Sequence, residues 1–174
     1  MGKIDLPLKD VFRRARARIE TYGIRVYVGD VPDPNTGTFD GIEIGIDYAN
    51  TLEMSVFVLV HLFGHTVQWN TVPSYRTIDQ RAKPGAPPSV IEEARMYECD
   101  ASRYGLTLLH DAGVTDRDQW LSDWWASDWH YLSTFYSTGH LPNWETCRST
   151  GHALLEAKAI PPFTPERFYP RYAF

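Results

Sequence analysis

Two histidines four residues apart, His61 and His65 in the stretch His61-Leu-Phe-Gly-His65, are the clearest chemical feature of the chain. On a helix that spacing brings both imidazoles to one face within about 6 Å, close enough to share a metal ion. On a strand the same pair would stand roughly 13 Å apart, at ~3.3 Å per residue, and could not. Metal binding and a helical assignment therefore stand together; the plain alternative is a pair of core histidines. A third ligand is sought among the carboxylates Glu92, Glu93, Glu98 and Asp100. At ~100° per residue, Glu98 shares its helix face with Ala94, Ala101, Ser102 and Gly105, whereas Glu93 and Asp100 lie well round the cylinder. Small residues let helices approach closely, and Gly64 leaves a matching gap between the histidines. His61, His65 and Glu98 are thus the expected ligands of a divalent metal, zinc foremost, with at least one coordination position left open; the set also suits iron(II).

The elements that must hold these residues can be read from periodicity. Residues 8–21 read as a helix, and 24–28 as a short strand. Turn residues fill 31–37, and 41–47 alternate as a half-buried or edge strand, so a small hairpin-like sheet is expected near the N-terminus. Residues 51–70 are almost continuously apolar and long enough to be helical. A long loop is expected over 73–89, with Ser89 capping the next helix and Glu92 completing a capping box. That helix should run to about His110. Another follows from Thr115 or Asp116 to about Ser137. After Pro142 the tail reads as irregular apart from a short helix around 152–158. The chain reads as one domain over 1–174, α+β and helix-dominated, with an active-site helix packed on a ligand-bearing helix.

The stretch VFVLVHLFGHTVQW resembles the active-site helix of the zincin metallopeptidases, whose motif is HExxH. Downstream, Glu98-Cys-Asp-Ala-Ser-Arg-Tyr-Gly105 is similar to the segment bearing the third zinc ligand in gluzincins, including ImmA/IrrE-type peptidases. The resemblance spans about residues 24–110, with 41–47 matching the edge strand before the active-site helix. It implies a zincin-like fold with His61, His65 and Glu98 as zinc ligands. Where the family has the glutamate that activates metal-bound water, this chain has Leu62, which cannot accept a proton. Where the family often has an aspartate supporting a ligand histidine, it has Ser102, which can still hydrogen-bond.

A substitute base is sought in His130, His140, Tyr131, Tyr97 and Tyr104, with His130 favoured for its titration near neutrality and Tyr104 for its place beside the Glu98 helix. Gln68, one turn beyond His65, could reach a substrate. Six Trp, ten Tyr and eight Phe make the chain 14% aromatic. Many cluster in 120–136, where Trp120, Trp124, Tyr131 and Phe135 form one helical stripe and Trp125, Trp129, Leu132 and Tyr136 a second. Two stripes exceed what one helix buries against a small sheet, so Trp124, Trp125 and Tyr131 are candidate walls of a substrate pocket, and the same helix could pair two copies as a homodimer. A net charge of −5 disfavours nucleic acid and anionic membranes. The cluster Arg13, Arg14, Arg16 and Arg18 reads as the solvated side of the first helix. Cys99 and Cys147 form no CxxC pair, no signal segment is visible, and no stretch suits a membrane span, so a cytoplasmic location is expected. Three functions fit these features: a metal-dependent enzyme acting on a small apolar or aromatic substrate, a zinc peptidase or amidohydrolase with a substitute base, and an inactive pseudo-peptidase serving as a binding or regulatory module.

Overall fold

The computed structural model describes residues 5–174. Helix α1 (Leu8–Glu20) leads to strands β1 (Arg25–Gly29), β2 (Gly37–Phe39) and β3 (Glu43–Asp47), then to α2 (Leu52–Thr71). A 3-10 turn (Pro73–Thr77) and α3 (Ile78–Arg81) connect to α4 (Pro88–Asp111). Then come α5 (Asp118–Thr138), α6 (Trp144–Cys147) and β4 (Tyr172–Ala173). The architecture is α+β and helix-dominated, with a four-stranded mixed sheet in the order β1-β3-β2-β4.

Helix α2 is the axis of the fold. Thr51 caps it by accepting a hydrogen bond from the Met54 amide at 3.2 Å, and Glu53 in its first turn suits the positive end of the helix dipole. Every residue from Val56 to Trp69 is buried. A helix apolar on all sides must be covered on all sides, and α1, α4 and the sheet do this. Despite its apolar character, no described helix is long and apolar enough to cross a membrane. The arginines of α1 lie on its outer side, while Val11, Ala15 and Ile19 face the core.

The stripe of small residues has the role its spacing suggests. A Cβ on Gly64 would lie 2.1 Å from the Ala101 carbonyl oxygen, and one on Gly105 would lie 2.9 Å from that of Val60. Helices α2 and α4 therefore touch backbone to backbone, at the level of the two histidines.

Several expectations are corrected. The strand over 41–47 begins at Glu43 and lies inside the sheet, parallel to β1 on one side and antiparallel to β2 on the other. It is neither half-buried nor an edge, because the unexpected strands β2 and β4 extend the sheet beyond it. The loop over 73–89 contains two helical turns, pinned by the buried Ile78 and by the fork from Arg81 to Glu93. Ser89 does not cap α4: Pro88 occupies the first turn, where a missing N–H costs nothing, and no side chain caps the end. No helix forms over 152–158, because its amides find partners elsewhere. His152 N–H donates to Asp123, Leu155 N–H to Ser122, and Lys158 N–H to the Arg103 carbonyl.

The tail then returns to the sheet. Arg171 donates to Asp40 and Glu43 at 2.9 and 3.0 Å and to Thr38 at 2.9 Å, which sets Tyr172 beside Phe39 in the β2–β4 ladder. Replacing Gly64 by Ala forces a methyl into a backbone contact that has no side chain to move aside. The Gly64→Ala protein should lose at least ~3 kcal/mol of unfolding free energy in urea titrations; an unchanged midpoint would contradict the close helix contact.

Candidate metal centre

Helix α2 presents His61 and His65 one turn apart, and α4 presents Glu98 opposite them. The Glu98 Oε2 atom lies 2.9 Å from His61 Nε2 and 3.2 Å from His65 Nε2, and the two Nε2 atoms are 3.0 Å apart. These spacings approach the ~3.3 Å expected between ligand atoms that share one tetrahedral ion through bonds of about 2.05 Å. His61 and His65 are sealed from solvent, and Glu98 is buried.

The outer nitrogens explain why the inner ones can bind a cation. Gln68 donates from Nε2 to the Tyr97 carbonyl at 2.8 Å, so its Oε1 faces His65 Nδ1 at 2.9 Å. An amide oxygen only accepts, so His65 carries its proton on Nδ1 and turns the Nε2 lone pair inward. His61 Nδ1 lies 3.1 Å from the Ser102 hydroxyl, which can accept in the same way. Burial lowers the basicity of His61, and His65 lowers it further, outweighing Glu98; this keeps the imidazole neutral. Burial would raise the Glu98 carboxyl, but hydrogen bonds and positive charge from the histidines, with a proton at their Nε2 atoms, overcome it and lower it to about 2; a divalent cation in place of that proton would act in the same direction. Two imidazole lone pairs and an ionised carboxylate oxygen thus converge on one point, an arrangement suited to a divalent cation. The group could hold such an ion, and among the described residues it is the one cluster of three or more His, Cys, Asp or Glu whose ligand atoms converge in this way.

Aromatic rings fix the imidazole planes. Tyr97 stacks on His65 at 4.2 Å with Phe39 on the ring at 5.8 Å, and Phe57 stacks on His61 at 5.2 Å. The Tyr97 hydroxyl is itself held by Trp69 Nε1 at 3.1 Å.

No family model, curated protein or solved structure matches this chain. The site must therefore be judged on its own geometry.

Glu98 also forms part of the wall of a cavity of about 390 Å³. From α5, Trp124, Tyr131, Leu132 and Tyr136 line it; Trp144 of α6 and Phe57 of α2 add to one side, and Tyr172 and Phe174 of the tail close another. The sequence-predicted residues divide around this cavity. Trp124 and Tyr131 are in the wall. Trp125 is not, and stacks on Trp129 at 6.1 Å instead. His130 is exposed on α5 and does not line the cavity, as its place on the polar side of the helix dictates. His140 is exposed beyond the end of α5. Tyr104 lies six residues past Glu98, on another face of α4, where it packs near the Lys158 ammonium. Gln68 is 2% exposed and is occupied with His65 and Tyr97, so it orients a ligand and does not reach a substrate.

Phe57, Trp144, Tyr172, Phe174 and Asp128 of the wall went unnoticed in the sequence, and the acid among them is Asp128, buried among the α5 rings. Its signal was there, four residues from Trp124 and Leu132 and three from Tyr131, in the middle of the aromatic face. Leu62 is fully buried and points at β2, where its Cδ1 would lie 2.9 Å from a Cβ on Gly37. It packs the sheet and does not enter the cavity.

Two outcomes follow from this geometry. Leu62→Glu should cost ~3 kcal/mol or more of stability by burying a carboxylate without a partner, and should create no hydrolytic activity; thermal melts and a peptide-cleavage assay test both parts. Gln68→Leu should weaken metal affinity by about 10–100-fold through loss of the His65 Nδ1 acceptor, as measured by competition with a chromophoric chelator.

Proposed function

We propose that this chain is a metal-dependent enzyme that binds zinc through His61, His65 and Glu98 and acts on a small, largely apolar or aromatic substrate. The convergence of three ligand atoms at the wall of an aromatic cavity carries this reading. A structural zinc is ordinarily closed off by four protein ligands; among the described residues there are three, and the carboxylate among them borders open space. When bound, the ion supplies a Lewis acid that can polarise a substrate oxygen or nitrogen.

The chain's own residues do the rest. Gln68 and Ser102 hold the outer imidazole nitrogens, and Tyr97, Phe39 and Phe57 prevent the rings from turning. Trp124, Tyr131 and Tyr136 exclude water from the cavity side and offer flat apolar surfaces. A volume near 390 Å³ sits toward the small end of the range for ligand pockets, about 300–1,000 Å³. The resemblance of the two motifs to the zincins supports the ligand assignment. Leu62 argues against ordinary peptidase chemistry, and the exposed position of His130 removes the substitute base that the sequence favoured.

Metal analysis of the purified chain tests the reading first. About one equivalent of zinc is expected, with affinity reduced at least ~100-fold in His61→Ala, His65→Ala and Glu98→Ala. Unchanged metal content in these variants would sink it, and iron in place of zinc would redirect it to oxygen chemistry. Turnover of small aromatic compounds, abolished by chelation, is expected next. Tight metal binding with no turnover across a metabolite screen would favour a binding or regulatory module.

A further inference from the structure

Of the two carboxyl groups in the cavity wall, Glu98 is engaged by the histidines and Asp128 is not. Asp128 is 7% exposed, and its Oδ2 is shut off from solvent with no hydrogen-bond partner among the described residues. Among the described residues, no lysine or arginine lines the cavity with it. The nearby guanidinium of Arg148 is engaged in the adjoining cleft, 5.4 Å from the Trp124 ring centre and 3.7 Å from Glu53. Burial, with Glu98 adding to it, raises the Asp128 carboxyl well above the usual range, which favours the neutral acid while no cation is near; an ammonium beside it shifts the balance back to the carboxylate. A buried polar group without a partner costs stability. Asp128 belongs to the cavity wall, so a ligand there can supply the missing donor once the carboxyl turns to meet it.

The rest of the wall specifies what kind of donor. Trp124, Tyr131, Tyr136 and Trp144 share the cavity wall with the carboxyl, and the negative quadrupole of an aromatic face attracts cations and repels anions. An acid set among aromatic rings disfavours carboxylate and phosphate compounds and favours a nitrogen cation on an apolar body. The geometry points to an amine-bearing substrate, its ammonium held by Asp128 and its hydrocarbon or aromatic portion lying against the rings beside the metal centre. This rests on the reading of the cavity as a substrate site and adds its chemical class: small aromatic or alkyl amines, in preference to the corresponding alcohols and acids.

The test compares three ligands with the same ring and different charge. Benzylamine, benzyl alcohol and benzoate are titrated calorimetrically into the zinc-loaded full-length chain, and again after the metal is removed by chelation. Benzylamine should bind at least about tenfold more tightly than benzyl alcohol in both forms, and benzoate should bind the metal-free form more weakly than either. Asp128→Asn should bring benzylamine to within about twofold of benzyl alcohol; Asp128→Leu serves as a second variant if the first folds poorly. Equal affinity of amine and alcohol for the unaltered chain overturns the inference and needs no variant. So does a preference that disappears with the metal, which would assign amine binding to the ion, or one that survives in both Asp128 variants. A chain that takes up no metal and still prefers benzylamine would refute the zinc-enzyme reading while leaving Asp128 as the cation site, so the two failures are separable.

Discussion

The backbone contact between α2 and α4 is the constraint on which the rest of the structure depends. With no side chain at Gly64 or Gly105, the Ala101 and Val60 carbonyls come within the space a methyl would need. Only at that separation can a carboxylate as short as Glu98 meet two imidazoles on the neighbouring helix at hydrogen-bond distance. The contact also seals the histidines from solvent on the helix side, and that burial lowers the basicity of His61. Packing and electrostatics are thus one arrangement seen at two scales.

Around this pair, each ligand is held from behind. His65 is fixed by Gln68 and by the Tyr97 and Phe39 rings, and His61 by Ser102 and Phe57. Tyr97 contributes its ring to His65, its carbonyl to Gln68 and its hydroxyl to Trp69. Because Tyr97 adjoins Glu98 in sequence, one turn of α4 provides both a ligand and the brace for the ligand opposite. Such shared supports restrict how far the site can deform without losing several contacts at once.

Much of this was legible in the sequence, for identifiable reasons. The four-residue histidine spacing, the length of the apolar run and the stripe Ala94, Ala101, Ser102 and Gly105 are local patterns with a fixed helical period, so ligand helix, partner helix and contact face could all be read. What escaped was set by distant partners. Strand β2 has three residues and no alternation long enough to register, and β4 has two; each exists because the other, or β3, is beside it. Residues 152–158 have helical composition but give their amides to α4 and α5. Gln68 could be placed on the right helix, yet its partner, the Tyr97 carbonyl, is invisible until α4 is docked. Asp128 was passed over because an acid among tryptophans looks like an ordinary polar position until the helix is seen to turn that face inward.

The two-residue strand β4 joins two duties that are usually separate. It pairs with β2 and so covers the backbone edge of the sheet, while Tyr172 within it and Phe174 just beyond supply one side of the cavity. The ion network of Arg171 with Asp40 and Glu43 holds both in place. Lifting the tail would therefore admit larger molecules to the cavity and, in the same movement, bare an unpaired strand edge of the kind that recruits other chains. Substrate selection and resistance to aggregation are in this way tied to a single short segment, and a change that relaxes one would be felt by the other.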